Sequence, residues 1–526
     1  MSKGGDKAVF GVALTPEEVE RLETRFSALT AGFPALHAFS EPEEEPLGGL
    51  HESRLPASPS ATSPRKPTIG EGSDATSDSI RTTRLALDAG EISTVELVRA
   101  HLDRARETEG LNAFITLVEE SALSSARRAD EARAAGEGLG PLHGIPISAK
   151  DIVHSRGIRT TSGSKLYADF VPEADAPCLA SLQRSGAILL GKTNLHELAF
   201  GVTSVNPHYG AVVNPWSAPE REDLICGGSS GGSAASLAAG VGFGSIGTDT
   251  GGSIRIPSSL CGVVGLKPTY GAVSRDRVTP LSWSLDHVGP MARTVGDVSL
   301  LFDAMAGTRT SETLFHDPSG LRVAVHERYF FEDIDPRVEQ AVRAAIDVLV
   351  TMGLSPIEMD VPEIDFQADC RNGIAFSEAA TFHEQNLRNR PEQYGDDTRE
   401  LLRVGLMMSA TDYVSSLRAR AKIVRAFTHA FERADVLVTP ATVAAASPIG
   451  ATSLDNGEEL RSGLLRMASP FNTTGFPALS LPCGFTEDGR PIGLQLVARP
   501  WAEADLLRVG YAYERSQELW RRRPMI

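Results

Sequence analysis

Two glycine- and serine-rich stretches decide how this chain folds and works: GGSSGGS at residues 227–233 and GTDTGGSIR at residues 247–255. They place Ser229 and Ser253 inside runs of glycine. Glycines on both sides let the backbone adopt positive φ angles and approach a ligand closely. Successive N–H groups in such a turn converge on one point, which suits an anion or a developing oxyanion. Each serine is therefore a candidate nucleophile that still needs a base.

A short apolar run upstream contains a candidate for that base. The sequence GIPISAKD at residues 144–151 predicts a buried strand over residues 145–149, which ends beside Lys150. Burial lowers the pKa of a lysine because it penalises the charged ammonium. Lys150 would then lose its proton near neutral pH and act as a general base.

Together with CGVVGLKPT at residues 261–269, these segments resemble the amidase signature hydrolases, and the resemblance extends from about residue 76 to residue 499. It implies that Ser253 is the nucleophile, that a cis peptide bond holds Ser229 as a bridging serine, and that Lys150 is the base. It further implies an oxyanion hole of backbone N–H groups, those of Thr250, Gly251, Gly252 and Ser253.

The resemblance also implies amide hydrolysis through a serine acyl-enzyme, with esters and carbamates as further substrate classes. In that mechanism neutral Lys150 takes a proton from Ser229, which takes one from Ser253 as Ser253 attacks the carbonyl carbon. Each backbone donor to the oxyanion lowers the barrier by about 2.7–4 kcal/mol. We expect Ile256 and residues 373–382 to line the acyl pocket, and their mainly small or apolar side chains predict an uncharged, partly apolar acyl group.

One alternative within the same fold is the amidase subunit of a glutamine-dependent tRNA amidotransferase. That subfamily typically has glutamine after Ser-Ile-Arg, where this chain has Ile256, and an apolar side chain there argues against glutamine as the substrate. The long N-terminal segment and the lack of an evident partner surface also depart from that subfamily. A non-catalytic scaffold is a further alternative, against which the presence of Lys150, Ser229 and Ser253 argues.

A different alternative makes Ser229 the nucleophile. Residues 227–231 match GxSxG, the nucleophile elbow of α/β-hydrolase-like esterases, and His287 is the best partner for it. That elbow requires a strand directly before the serine, whereas residues 219–223 are polar and predict a turn. We therefore favour Ser253 and expect His287 to be a surface or loop histidine.

Other charged residues near these segments receive structural interpretations. The sequence GAILLGKT at residues 186–193 matches the phosphate-loop pattern, but its apolar centre predicts a strand, whereas phosphate binding needs an open loop. We therefore expect Lys192 to lie at a strand end, with no nucleotide bound. Asp249 and Arg255 are expected to form an ion pair that holds the loop without taking part in catalysis.

The composition limits the partners. The chain has 526 residues and a formal net charge of -17, and because a phosphate backbone needs a basic surface, we predict no nucleic-acid partner. No apolar run reaches the ~18–20 residues that span a bilayer, so we predict no membrane partner and a cytoplasmic location. The cysteines are scattered without metal-ligand spacing, which predicts no metal and no cofactor. A small-molecule amide is then the expected partner, and a homodimer stays open.

The sequence pattern divides the chain into an N-terminal helical appendage with a Pro/Ser-rich linker (residues 1–75) and a catalytic domain (residues 76–526). Capping signals and apolar periodicity predict helices at residues 14–30, 79–89, 93–107 and 120–136. Short apolar runs predict strands at residues 145–149, 187–190, 263–266, 321–325, 436–438, 478–481 and 493–497. This alternation predicts an α/β fold with a mixed central β-sheet and helices on both faces.

Overall fold

Helices and strands alternate along most of the described chain. The computed structural model describes residues 7–9, 12–40, 79–137, 139–217 and 222–526. Within these ranges the helices are α1 (Pro16–Leu29), α2 (Phe33–Phe39), α3 (Ile80–Ala89), α4 (Thr94–Glu107), α5 (Glu119–Ala134), α6 (Pro177–Arg184), α7 (Gly231–Ala238), α8 (Arg255–Cys261), α9 (Val295–Ala306), α10 (Glu327–Phe330), α11 (Pro336–Thr351), α12 (Gln367–Asn389), α13 (Asp396–Met407), α14 (Ala410–Ala430), α15 (Leu460–Arg466), α16 (Pro470–Thr474) and α17 (Glu503–Gln517).

The strands form one large sheet and two short hairpins. They are β1 (Lys7–Val9), β2 (Val12–Leu14), β3 (Phe114–Leu117), β4 (Pro146–Lys150), β5 (Ile188–Thr193), β6 (Val205–Asn206), β7 (Gly210–Ala211), β8 (Gly244–Asp249), β9 (Val264–Lys267), β10 (His287–Ala292), β11 (Arg322–Val325), β12 (Ser355–Glu358), β13 (Val436–Pro440), β14 (Ala478–Phe485) and β15 (Pro491–Ala498). The large sheet has the order β12-β11-β13-β15-β14-β9-β10-β8-β4-β5-β3.

The large sheet is mixed, as the sequence predicted. Strand β11 pairs in parallel with β12 and β13, and β4 pairs in parallel with β5 and β8. The other neighbouring strands pair antiparallel. Helices flank the sheet on both faces, so the predicted α/β fold class is confirmed.

Every strand predicted from an apolar run is present within a few residues of its predicted position. In the large sheet, strands β3, β8, β10 and β12 were not predicted, and neither were the two short hairpins. The sequence of β8 is GSIGTD, which has little apolar periodicity. Its glycine content has a packing cause, because a Cβ on Gly247 would lie 2.8 Å from Met291 Sδ of the neighbouring β10. Glycine at position 247 therefore leaves room for the Met291 side chain, and it also weakens the sequence pattern that would predict a strand.

The helices α1 and α2 pack against the rest of the molecule. Helix α1 contacts α13, and α2 contacts α12 and α14. Leu22 of α1 and Leu36 of α2 are buried in these contacts. Arg25 of α1 donates to Asp397 Oδ1 at 2.7 Å and also contacts Glu400, both in α13. Apolar burial and ion pairing therefore join the N-terminal helices to the helices of the second half of the chain.

The predicted domain boundary lies in a part of the chain without a structural description. Residues 41–78, which include most of the predicted linker, lie outside the described residues. The division into residues 1–75 and 76–526 therefore stays a prediction. Among the described helices, none combines the length and the apolar character that crossing a membrane requires.

The buried contact of α2 predicts a loss of stability on truncation. Leu36→Ala should lower the free energy of unfolding by about 2–5 kcal/mol, because the side chain is fully buried. Leu85→Ala in α3 is the matched control; this leucine is 46% exposed, and its truncation should change stability by at most about 0.5 kcal/mol. Denaturant unfolding followed by circular dichroism measures both. Equal stability losses would show that α2 is not part of the folded core.

Candidate active site

Lys150 is the last residue of β4, whose side chains are all buried. Its Nζ donates to Ser229 Oγ at 2.7 Å and to Thr248 Oγ1 at 2.8 Å. Thr248 belongs to β8, the parallel neighbour of β4. The sheet itself therefore brings Lys150 beside the GTDTGGSIR segment, and the loop before α7 brings Ser229 to the lysine.

The surroundings of Lys150 favour its neutral form. Burial lowers the pKa of Lys150 to about 7, while the carboxylates of Asp249 and Asp286 act in the opposite direction. Asp286 is half-buried, and desolvation raises the pKa of its carboxyl to about 6. A lysine with a pKa near 7 is partly neutral at physiological pH and can accept a proton from a hydroxyl.

The backbone holds Ser229 in a tightly packed loop. The Gly228–Ser229 peptide bond is cis, as the family resemblance implies. A Cβ on Gly228 would lie 2.8 Å from the backbone of residues 202–203, so the loop requires glycine at this position. The Ser229 carbonyl accepts hydrogen bonds from the His196 N–H and from Ser204 Oγ, each at 3.3 Å. These contacts fix the backbone from which the Ser229 hydroxyl reaches Lys150.

Ser253 lies in the turn between β8 and α8, and 6% of its surface is exposed. Its carbonyl accepts from the Ser230 N–H at 3.2 Å, which joins the two serine loops. Ser253 lines a cavity of about 40 Å³, and a larger cavity of about 290 Å³ shares Ala199, Thr250 and Leu281 with it. Among the described residues, no hydrogen bond joins the hydroxyls of Ser229 and Ser253.

The four N–H groups expected to form an oxyanion hole are not equivalent. The Gly252 N–H donates to Asp249 Oδ1 at 2.8 Å, so it is already engaged and the prediction for this group needs correction. Gly252 has a φ angle of 131°, which a residue with a side chain rarely adopts. Elsewhere in the turn, the N–H groups of Thr250, Gly251 and Ser253 have no acceptor among the described residues. Gly252 therefore shapes the turn, and the other three groups remain candidate donors.

A buried ion pair between Asp249 and Arg255 holds this turn, as the sequence predicted. Arg255 Nη2 donates to Asp249 Oδ1 at 2.8 Å, and Nε donates to Oδ2 at 3.0 Å. Arg255 also donates to the Ala468 carbonyl at 2.6 Å and to side-chain oxygens of Asn472 and Gln495 at 2.7 Å each. Burial raises the pKa of Asp249, but the charge and hydrogen bonds of Arg255 outweigh it and hold that pKa well below its ordinary range.

The nucleophile-elbow alternative lacks the strand that it needs. Residues 222–228 contain isolated bridges in place of a strand before Ser229, and residues 218–221 lie outside the described chain. His287 is a buried residue of β10, so the expectation of a surface or loop histidine is wrong. The Leu285 carbonyl lies 2.7 Å from His287 Nδ1, and burial holds the pKa of His287 well below its usual value.

The phosphate-loop match is part of a buried strand. Lys192 is the penultimate residue of β5, near the strand end that the sequence predicted, and it is fully buried. Its Nζ donates to Thr160 Oγ1 at 2.9 Å, contacts the Val153 carbonyl, and lies 3.4 Å from Asp151 Oδ1. This lysine is therefore bound to protein groups. Among the described residues, no group of three or more His, Cys, Asp or Glu side chains has the arrangement of a metal site.

The residues predicted to line the acyl pocket take different positions. Ile256 is fully buried, and its Cδ1 would lie 2.7 Å from a Cβ on Gly252, so it supports the turn from beneath. It lines neither of the two cavities described above, and its role in the acyl pocket stays a prediction. Within residues 373–382, Ala375 and Phe376 do line the smaller cavity.

Sequence reasoning missed several side chains around Ser253. Thr248 stands in the GTDTGGSIR segment itself, and recognising β8 as the neighbour of β4 would have placed it beside Lys150. Asp286 accepts from Thr250 Oγ1 at 2.6 Å. The smaller cavity is also lined by two arginines from distant segments, Arg371 of α12 and Arg461 of α15. No local sequence signal connects these arginines to the serine loops.

The buried ion pair predicts a large cost for removing its cation. Arg255→Met should lower the free energy of unfolding by about 3–5 kcal/mol, because Asp249 would remain buried without a compensating charge. Arg328→Met is the matched control, since its pair with Asp365 is exposed and contributes about 0–1 kcal/mol. Denaturant titrations of both variants measure the difference. A loss for Arg255→Met no larger than that of the control would contradict the structural role of the pair.

The chain is similar over most of its length to proteins of known name. It is 39% identical to the A subunit of the glutamyl-tRNA(Gln) amidotransferase of Chloroflexus aggregans over 476 residues, which cover 84% of this chain and 96% of that protein. The corresponding protein of Moorella thermoacetica is 37% identical over 475 residues, which cover 83% of this chain and 96% of that protein.

These relatives correct the predicted partners. Their name describes one subunit of an amidotransferase for a glutamyl-tRNA, so the prediction that excluded nucleic acid, like the argument from a missing partner surface, is wrong. The error has a physical reason, because net charge averages over the whole surface of one chain. It does not report on what the other subunits of an assembly bind.

A solved structure and a family model each match most of the chain. One similar solved structure is described as a vestigial protein complex that reveals the evolutionary origins of an s-triazine catabolic enzyme. Its chain is 32% identical to this one, with a TM-score of 0.79. The match covers 85% of this chain and 100% of that chain. The family model described as Amidase matches residues 96–507. The chain therefore belongs to the amidase family, the amidase signature enzymes.

Proposed function

We propose that this chain cleaves the C–N bond of a carboxamide through an acyl-enzyme on Ser253, with Lys150 as the base and Ser229 as the proton relay. The observation that carries the proposal is the hydrogen bond of 2.7 Å between Lys150 Nζ and Ser229 Oγ in a fully buried setting. Lys150 forms no ion pair with any of the described residues. Burial without a paired carboxylate favours a neutral lysine that can accept a proton.

The proposed steps balance protons and bonds. Neutral Lys150 accepts the hydroxyl proton of Ser229, and Ser229 accepts the proton of Ser253 as Ser253 Oγ forms a bond to the amide carbon. The carbonyl electrons move to the oxygen, and their return breaks the C–N bond. The leaving nitrogen receives its proton back through Ser229. Water then hydrolyses the acyl-enzyme by the same relay and releases the carboxylic acid.

Backbone donors supply the charge stabilisation in this proposal. The N–H groups of Thr250, Gly251 and Ser253 are the candidates, because the described residues leave them without an acceptor. A preorganised donor of this kind lowers the barrier by about 2.7–4 kcal/mol. The Gly252 N–H takes no part, since it holds the Asp249 carboxylate.

A second candidate is the amidase subunit of a glutamine-dependent amidotransferase. The similarity to the A subunit of glutamyl-tRNA(Gln) amidotransferase, over 96% of that protein, favours it over a hydrolase of linear amides. In this setting the same acyl-enzyme would form on the side-chain amide of glutamine, and the released ammonia would pass to the acceptor. The two candidates share the chemistry at Ser253 and differ in the amide and in the need for partner subunits.

Substitution of the nucleophile tests the shared chemistry. Ser253→Ala should abolish amide cleavage, and Lys150→Met should cost nearly as much, because the members of such a relay act as a unit. Exposed Ser27→Ala in α1 is the control and should leave the rate unchanged. Ammonia release from a carboxamide measures turnover, and intact mass after acid quench detects the acyl adduct. If Ser253→Ala kept its turnover while Ser229→Ala lost it, Ser229 would be the nucleophile.

The same assay separates the two candidate functions. The chain alone, incubated with glutamine and with a simple aliphatic amide, should cleave the aliphatic amide if it is a hydrolase of linear amides. Cleavage of glutamine with rejection of the aliphatic amide would favour the amidotransferase role, as would activity that appears only with partner subunits.

The lowered pKa of Lys150 predicts the pH dependence. Because the neutral form is active and the pKa is about 7, kcat/KM should rise with pH through the range around 7 and then level off. Asp286→Asn is a second test, because Asp286, with a pKa of about 6, acts on the charge of Lys150. Removing Asp286 should shift the Lys150 limb slightly downward, because the carboxylate favours the charged lysine. An unchanged limb in the residual activity of Lys150→Met would assign the base to another group.

A further inference from the structure

Two arginines meet at the cavity beside Ser253. Arg371 comes from α12 and Arg461 from α15, and both line the cavity of about 40 Å³ together with Ser253. Arg371 Nη1 lies 3.9 Å from the point that a Cβ on Gly251 would occupy, so its guanidinium is next to the turn that follows β8. The positive charge is therefore close to the place where the proposed reaction occurs.

These two guanidinium groups have few direct partners in the described part of the protein. Arg371 Nη2 donates to Asn372 Oδ1 at 2.7 Å, while its buried Nε has no hydrogen-bond partner among the described residues. Arg461 Nη1 donates to the Phe200 carbonyl at 3.3 Å, and its guanidinium lies 5.5 Å from the centre of the Phe200 ring. In the described part of the chain, neither arginine forms an ion pair with a carboxylate.

Three acidic side chains act on these arginines from a distance: Asp369 on Arg371, and Asp397 and Glu459 on Arg461. Asp397 accepts from Arg25 at 2.7 Å and lies 3.9 Å from His196 Nε2. Burial lowers the pKa of Arg371 to about 10, and the charge of Arg461 acts in the same direction. Burial also lowers the pKa of Arg461, which Asp397 only partly offsets. Burial therefore disfavours the charged form of both arginines, and the charge of Arg461 adds to this effect at Arg371.

Arg255 is a buried guanidinium with a structural role, and its hydrogen bonds can be compared with those of Arg371 and Arg461. It binds Asp249 through two nitrogens and fills its remaining hydrogen bonds with Asn472, Gln495 and the Ala468 carbonyl. Arrangements of this kind offset the cost of removing a charge from water. The pair at the cavity lacks such partners and lines the same cavity as Ser253.

We propose that the substrate carries an anionic group on its acyl portion, and that Arg371 and Arg461 bind this group while the amide carbon lies at Ser253. The inference rests on the proposed function and specifies its substrate class. It replaces the uncharged acyl group expected from the sequence. Because Arg371 lies so close to Gly251 and the cavity is small, the anion and the amide are separated by a short chain. Monoamides of short dicarboxylic acids have this form, and glutamine shares the required carboxylate.

Matched substrates test the proposal in the full chain. Malonamate, succinamate and glutaramate are each compared with the corresponding neutral diamide, which has nearly the same shape. At least one acid should exceed its diamide in kcat/KM. The ratio of kcat/KM for that acid to kcat/KM for its diamide should fall by about 10–100-fold in Arg371→Gln and in Arg461→Gln. This is the usual contribution of a hydrogen bond to a charged group. Arg388→Gln, at the exposed end of α12, is the control and should leave the ratio unchanged.

A binding measurement keeps this test independent of turnover. Calorimetry with Ser253→Ala should detect binding of the preferred acid, weakened by about 10–100-fold when Arg371→Gln is added. Arg371→Lys keeps the positive charge and should bind the acid more tightly than Arg371→Gln does. If Arg371→Gln fails to fold, Arg371→Lys replaces it in the comparison with Ser253→Ala alone. Equal kcat/KM for all three acids and their diamides, or binding that Arg371→Gln does not weaken, would overturn the proposal. Arginine-dependent binding without cleavage of any amide would support the anion site while contradicting the proposed function.

Discussion

The buried ion pair between Asp249 and Arg255 is the interaction on which the arrangement around Ser253 depends. Asp249 ends β8 and accepts the N–H groups of Gly252 and Ile254, so its carboxylate closes the turn that presents the serine. A carboxylate removed from water persists only when a cation and hydrogen bonds compensate it. Arg255 provides both, and its further hydrogen bonds reach β15 and α16. One pair thus joins the turn to the distant half of the sheet.

The same pair controls the charge that Lys150 experiences. Burial favours the neutral lysine, whereas Asp249 and Asp286 favour the charged form. Arg255 offsets the charge of Asp249, and burial of Lys150 outweighs both carboxylates, so neither restores the ordinary basicity of a lysine. The shape of the turn and the protonation of the base are therefore coupled. A substitution of Asp249 would alter the shape of the turn and the protonation of Lys150 together. The many hydrogen bonds to Asp249 hold its carboxylate in one position.

The sequence predicts those elements whose causes are local. The capping boxes that begin α1 and α4 and the apolar runs of the predicted strands depend on neighbouring residues, and they lie where expected. Strand β8 escapes prediction because close packing of Gly247 against Met291 determines its composition. The engagement of the Gly252 N–H and the meeting of Arg371 with Arg461 depend on the tertiary fold. No pattern within one segment contains that information, so motif resemblance finds the chemistry and misses the substrate contacts.

The net charge of -17 illustrates why composition is a weak guide to what this chain binds. A net charge is a sum over the whole chain and says nothing about where the charges lie. The cavity beside Ser253 is lined by two guanidinium groups that have no carboxylate partner among the described residues. At physiological ionic strength charges are screened over about 8 Å, so a group inside the cavity responds to Arg371 and Arg461 rather than to the acidic surface. Overall charge governs solubility and approach from a distance. Selection of a substrate depends on the few charges that the fold brings together.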